Sequence, residues 1–293
     1  MLVQPAGCWS TWASVSGVSV LIDTDSLGRR LAAGERTVLV DVRWKLGDPH
    51  GHDHYLAGHL PGAVYADLET ELAAPPSPSA GRHPLPSVEV LEAAARRWGV
   101  RAGDTVVAYD DLGGMSAARA WWLLRWAGLS DVRLLDGGLA AWTAAGGELE
   151  TGPVTPPAGD VVLRPDSLPT LEVESVAGFA DGGMLLDARA GERFRGETEP
   201  IDPRAGHIPG AASAPTTENV DATGRFLDPA ALRARFAALG VDGSRPVGVY
   251  CGSGVTAAHE IAALALAGID ATLYPGSWSQ WSADPDRPAA TGP

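Results

Sequence analysis

The chain repeats itself. Val38-Leu-Val-Asp41-Val-Arg43 returns as Met184-Leu-Leu-Asp187-Ala-Arg189, and Ala57-Gly-His59-Leu-Pro-Gly-Ala63 returns as Ala205-Gly-His207-Ile-Pro-Gly-Ala211. Val106-Val-Ala-Tyr109-Asp110 is echoed by Val247-Gly-Val-Tyr250-Cys251. Leu135-Asp-Gly-Gly138 through Trp142 is echoed by Tyr274-Pro-Gly-Ser277 through Trp281. Four matched blocks in one order, at a period of about 140 residues, are too widely spaced for a solenoid and fit a duplicated domain. The 293 residues suffice for two such units, each able to bury a core without disulfides or metals. We expect a first unit over 18–150, a linker over 151–169 and a second unit over 170–288.

Within each half, apolar runs of strand length alternate with helical patterns. Strands are expected at 38–42, 105–109 and 131–135, and again near 184–188, 247–250 and 271–274. Helices are expected at about 87–98 and 115–127, and from Val255 to Gly268. Asp228-Pro229 reads as a helix start and Gly240 as its stop. This alternation predicts the α/β class, with each half a mainly parallel sheet covered by helices on both faces. The linker holds Gly152, Pro153, Pro156, Pro157, Pro165 and Pro169, a composition that favours extended chain.

At one matched position the halves differ in chemistry. The first has Asp110 and the second Cys251, followed by Gly252-Ser253-Gly254 and then an alanine- and leucine-rich helix. Ligands of open α/β sheets collect outside the carboxyl ends of the strands, where this turn would sit. Glycines let successive amides turn inward, and with a helix N-terminus behind them they form a nest for an anion, a thiolate included. A free cysteine is only a few per cent ionised at neutral pH, so such a nest is what separates a nucleophile from a packing residue. One working site on Cys251 and one catalytically silent copy are the expectation.

The block Cys251-Gly-Ser-Gly-Val-Thr256, both Gly-His-(Leu/Ile)-Pro-Gly-Ala blocks and the Asp187-Ala-Arg-Ala190 to Gly196 stretch resemble the tandem-domain rhodanese-type sulfurtransferases. They are most similar to the 3-mercaptopyruvate sulfurtransferases, whose active loop reads Cys-Gly-Ser-Gly-Val-Thr. The resemblance runs from about residue 20 to about residue 285, over nearly the whole chain. It implies that Cys251 takes sulfur from 3-mercaptopyruvate as a persulfide, releases pyruvate and passes the sulfur to a thiol or cyanide. The amides of Gly252, Gly254, Val255 and Thr256 would hold the persulfide as an oxyanion hole holds oxygen. It also implies two arginines on the donor's carboxylate and carbonyl, matching Arg193 and Arg204. The stretch Glu197 to Arg204 is two residues longer than the family spacing, so Arg193 is the firmer match. A serine–histidine–acid set in the same enzymes maps onto Ser253, His83 and Glu69, with His83 in Arg82-His-Pro-Leu-Pro86. Read without the resemblance, Ser253 tightens a turn, His83 is a solvated loop residue and Glu69 caps a helix.

Three rival readings carry distinct signatures. Thiosulfate-preferring enzymes of this fold place basic residues directly after the cysteine, where this chain has neutral Gly252 and Ser253. A charge pair at 4 Å is worth up to about 4 kcal/mol at an effective dielectric of 20, so its loss should weaken thiosulfate use. Cysteine phosphatases and arsenate reductases need an arginine closing the loop, and here Thr256, Ala257 and Ala258 stand in its place. A non-catalytic sulfur-binding module is weighed against by the intact second loop.

The remaining features bound the context. A net charge of -14 disfavours nucleic acid and anionic membrane, while local cations can still admit a small anionic sulfur donor. The expected acceptor is a thiol, whether thioredoxin or a small molecule. Two cysteines, Cys8 and Cys251, no apolar run of spanning length and no basic residue before Arg29 point to a soluble protein of the reducing cytoplasm. Cys8 is read as incidental in an N-terminal extension. His50, His52 and His54 suggest a solvated loop rather than a metal site, and no cofactor or metal is expected. His59 and His207 recur in both halves and are read as structural. Arg189 and Arg195 are read as surface partners of nearby carboxylates. Trp121, Trp122 and Trp126 are read as core.

Overall fold

The computed structural model describes residues 19–293, so Cys8 lies outside the described residues. The first half contains β1 (Leu21–Ile22), α1 (Thr24–Ala32), β2 (Thr37–Asp41), α2 (Gly51–Ala57), β3 (Val64–Tyr65), α3 (Val88–Arg97), β4 (Thr105–Tyr109), α4 (Ala117–Trp126), β5 (Val132–Leu135) and α5 (Gly138–Ala144). The second contains α6 (Val173–Val176), β6 (Met184–Asp187), α7 (Gly191–Phe194), β7 (Ala212–Ser213), α8 (Pro229–Ala238), β8 (Val247–Tyr250), α9 (Thr256–Leu266), β9 (Thr272–Leu273) and α10 (Ser277–Ala283). One sheet has the order β1-β5-β4-β2-β3 and the other β7-β6-β8-β9. Every strand pair in both is parallel.

The expected central strands are all present to within a residue or so, and the helix start at Asp228 is as read: its carboxylate accepts the amides of Ala230 and Ala231 at 2.9 and 3.0 Å. The sequence pattern did not reveal β1, β3 and β7, because a two-residue strand at or near a sheet edge carries no measurable period. Residues 151–169 form no helix or strand, yet Val161 and Leu163 are buried against the first half, so this segment lies along the surface it leaves.

The strand register fixes the two sites. Asp41 pairs with Tyr109 and Asp187 with Tyr250, so Asp110 and Cys251 leave equivalent points at the carboxyl ends of their sheets. The helices that follow, α4 and α9, pack on each other, and one continuous apolar cluster runs from Val38 through Trp121, Trp122 and Trp126 into Ala257–Leu264. Burying α4 on all sides explains why its ten residues are almost entirely apolar. Among the described residues no helix is long and apolar enough to cross a membrane.

Candidate active site

Cys251 is buried at the base of the turn between β8 and α9, and its Sγ accepts the Gly254 amide at 3.1 Å. The expected nest thus brings one amide, not several, to the sulfur itself. Val255 caps α9 and Thr256 opens it, which completes the turn. The turn is also held from outside. The Trp278 and Ser279 amides at the start of α10 donate to the carbonyls of Cys251 and Gly252, both at 2.9 Å. Ser277, at φ 54°, accepts the Cys251 amide on its hydroxyl at 3.2 Å and donates to the Tyr274 carbonyl at 3.0 Å. Gly254 is required twice: its φ is +79°, and a Cβ there would stand 2.5 Å from the Pro275 carbonyl oxygen.

The first half delivers side chains to this turn. His83 Nδ1 lies 2.7 Å from Ser253 Oγ, and its Nε2 lies 3.3 Å from Glu69 Oε1. Ser253, His83 and Glu69 are therefore brought into one chain of contacts across the two halves. His83 and Ser253 are both buried, while the Glu69 side chain is 54% exposed and also accepts the Trp44 indole N–H at 2.7 Å. Burial holds the His83 imidazole below its usual value, and the Glu69 carboxylate works against that shift. His83 is not the solvated loop residue of the bland reading, and Trp44 stands edge-on against its ring.

Arg193 sits in α7 beside Gly252, and its guanidinium is paired with Glu199 at 2.6 Å and Asp202 at 3.1 Å. Arg204 does not join it. Its guanidinium donates to the carbonyls of Ser282, Arg287, Trp281 and Asp284, at 2.7–3.1 Å, and ties the end of α10 to the chain that follows. Arg204, whose spacing from Arg193 already set it apart from the family pattern, is committed to that carbonyl cage. Arg189 is likewise not a surface residue: it forms a buried fork on Asp187 and lies over the Trp278 ring, the twin of Arg43 on Asp41. Arg195 does pair on the surface with Glu197.

Two residues at the site had no part in the sequence reading. Arg82, next to His83, extends over Gly252 and pairs with Asp202. Arg119 of α4 is fully buried and donates to the carbonyls of Gly254, His83, Pro84 and Leu72 at 2.9–3.1 Å. Burial lowers its guanidinium to about 10, and the neighbouring Cys251 sulfur opposes the shift, so it stays charged at neutral pH. The signal for Arg119 was available as a charge inside a helix apolar all round. That for Arg82 was only its place beside His83. Together they bring cations from other segments to a turn that is itself neutral at Gly252 and Ser253, with Asp202 the counter-charge of Arg82.

The other conspicuous residues are structural. His59 is buried, with its ring nitrogens 2.9 Å from the Leu60 and Gly152 carbonyls, and His207 lies 2.8 Å from the Phe194 carbonyl. No metal-binding group of three or more His, Cys, Asp or Glu side chains exists among the described residues.

A profile of the Rhodanese-like domain matches residues 23–145 and 173–284. A Mycobacterium tuberculosis protein named as a thiosulfate sulfurtransferase, SseB, is 50% identical over 93% of this chain and 97% of its own. A Pseudomonas aeruginosa protein named as a 3-mercaptopyruvate sulfurtransferase is also 50% identical, over 93% of this chain and 98% of its own. The crystal structure of SseA from Escherichia coli, a 3-mercaptopyruvate enzyme, superposes with a TM-score of 0.79 at 35% identity, covering 89% of this chain and 99% of that one. With both halves matched and the whole architecture shared, the chain belongs to the rhodanese-like family, as a tandem-domain sulfurtransferase similar to the 3-mercaptopyruvate enzymes.

Proposed function

We propose that the protein moves sulfur from 3-mercaptopyruvate to a thiol or cyanide through a persulfide on Cys251, with the second half as the catalytic unit and the first half silent. Two relatives at equal identity carry different donor names, so overall similarity does not choose the donor. The observation that carries the choice is the 2.7 Å contact between Ser253 Oγ and His83 Nδ1. A hydroxyl oriented by a buried histidine serves a donor with a carbonyl to polarise, and thiosulfate has none.

The Cys251 thiolate attacks the donor's sulfur. The new S–S bond forms as the donor's C–S bond breaks, and the electron pair of that bond passes to the keto acid as an enolate. Ser253, with His83 behind it, stabilises the developing charge on the enolate oxygen, and protonation at carbon gives pyruvate. An acceptor thiolate then attacks the outer sulfur and leaves as a persulfide, regenerating the Cys251 thiolate; cyanide leaves as thiocyanate. Arg193 accounts for binding of the donor's carboxylate. Glu69 keeps the His83 ring oriented, and its exposure suits a modest role.

The test is kcat/KM for 3-mercaptopyruvate and for thiosulfate with one common acceptor. Cys251→Ser is expected to remove both activities. Ser253→Ala is expected to lower the mercaptopyruvate value by about 10²–10⁴-fold, the usual span of general acid–base assistance, and to leave thiosulfate largely unchanged. Preference for thiosulfate in the wild type, or equal losses for both donors in Ser253→Ala, overturns the donor assignment and keeps the nucleophile.

A further inference from the structure

We propose that Arg82, from the first half of the chain, is the second cation that grips the donor's carboxylate, paired with Arg193 above Gly252. This rests on the reading of an anionic keto-acid donor given above. Arg204, the residue the family pattern would supply, has its guanidinium spent on four carbonyls. A cation must come from elsewhere if there are to be two.

Arg82 stands where one is needed. A Cβ built on Gly252, the residue after the nucleophile, would lie 2.9 Å from Arg82 Nη2 and 3.5 Å from Arg193 Nη1. Two guanidinium groups from different halves thus converge on one point beside Cys251. They already bind a carboxylate jointly. One oxygen of Asp202 faces Arg82 and the other lies 3.1 Å from Arg193, so a bridging geometry for one carboxylate between the two arginines exists in the fold. Arg82 Nη1 serves Asp202 and Nη2 faces Gly252, so the fork reaches the site with both of its outer nitrogens.

The position of Arg82 is built rather than incidental. Its amide donates to Ser279 Oγ at 3.1 Å, and the Gln280 side chain donates to the Ser79 carbonyl at 2.6 Å. Gly81, at φ +89°, presses so close to the Gly276 carbonyl that a Cβ would stand 2.7 Å from its oxygen. The segment carrying Arg82 and His83 is therefore fastened to α10, the helix that also holds the Cys251 and Gly252 carbonyls. Movement of the halves would shift Arg82 and the turn together.

Alkylation of Cys251 tests this without sulfur transfer. The second-order rate constants for iodoacetate and for iodoacetamide would be measured in the wild type, Arg82→Gln, Arg82→Lys, Arg193→Gln and the surface control Arg195→Gln, alongside KM and kcat for 3-mercaptopyruvate. The iodoacetate-to-iodoacetamide ratio is expected to fall roughly tenfold or more in Arg82→Gln and in Arg193→Gln, the scale of one charge-assisted hydrogen bond. Arg82→Lys should restore part of it, Arg195→Gln should leave it unchanged, and KM for the donor should rise in Arg82→Gln more than kcat falls. A purely structural Arg82 would slow both reagents alike, and a ratio within twofold of the wild type in Arg82→Gln overturns the proposal. A wild type that prefers thiosulfate while the ratio still depends on Arg82 would remove the keto-acid reading and leave the carboxylate grip standing.

Discussion

The two strand–turn–helix loops share a frame and differ in what fills it. Asp110 Oδ1 accepts the amides of Leu112 and Gly114, and Oδ2 those of Ser116 and Ala117, all at 2.8–2.9 Å. Cys251 Sγ accepts the Gly254 amide alone. The difference is one of reach. A carboxylate oxygen stands one bond beyond the atom that corresponds to the cysteine sulfur, which is where the outer sulfur of a persulfide would stand. The Asp110 loop therefore carries carboxylate oxygens where the outer sulfur of a persulfide would stand. The carboxylate itself closes that nest. The loop in the first half spans residues 111–116 and that in the second 252–255, so the first is two residues longer around its carboxylate.

Replacing that carboxylate breaks the comparison most severely. In Asp110→Cys a sulfur takes the place of an oxygen pair holding four buried amides, and most of those donors lose their partner. The cost is expected to be about 3–5 kcal/mol of stability, given roughly 1–3 kcal/mol for each unsatisfied buried group with partial relaxation. Denaturant unfolding measures it. The same variant should still carry one sulfur per chain when its cyanide-labile persulfide is counted, because Arg82, Arg193 and Ser253 face only the second loop. A second labile sulfur would show that the loop backbone suffices for chemistry.

The turn around Cys251 is the next point of attack. Gly254→Ala places a Cβ against the Pro275 carbonyl at a φ that L residues resist, with a stability cost of about 1–3 kcal/mol. The Gly254 amide is the one that reaches Sγ, so kcat/KM should fall by roughly a hundredfold, more than stability alone accounts for, since misplacing a reacting group by about 1 Å costs on that order. Activity within threefold of the wild type in a folded Gly254→Ala would mean that the amide does not matter to the sulfur.

Much of this is legible in the sequence. The repeat exposed the duplicated architecture, since Asp41 and Asp187 precede the same Val/Ala-Arg pair and Tyr109 and Tyr250 end the same strand. Cys251 stood out by contrast with Asp110. Local pattern failed where a contact depends on how distant segments dock. Arg204 matches a motif by order but sits two residues late, and its carbonyl partners lie 77–83 positions further on. Arg82 lies in a Pro- and Ser-rich stretch that reads as solvated loop until α10 is packed on it. Arg189 reads as a surface partner because nothing local says that Asp187, two residues before it, is buried at the end of β6.

The smallest expected effect concerns the proton that the histidine carries. Burial depresses the His83 imidazole below its ordinary 6.5, and Glu69 raises it part of the way back. The folded chain therefore holds His83 neutral where the unfolded chain begins to charge it. The stability this contributes is complete above about 6.5 and is lost as the pH falls through 6.5 toward the lowered folded value. Function follows the opposite sign, because the Ser253 hydroxyl donates to the enolate oxygen while the ring donates to its Oγ, and with Nε2 turned to Glu69 both ring nitrogens carry hydrogens only in the charged form. Mercaptopyruvate turnover should lose rate as the pH rises and the ring gives up its proton, with a midpoint below 6.5. Glu69→Gln removes the charge that raises His83, so the midpoint should move to lower pH, and an NMR titration of the ring, assigned with His83→Asn, should move with it. A midpoint that shifts upward in Glu69→Gln would mean that the carboxylate does not act on the imidazole as the 3.3 Å contact implies. A midpoint that stays fixed while the NMR value falls would mean that the first half supplies the histidine as scaffold, and that the two halves meet at Cys251 through Arg82 alone.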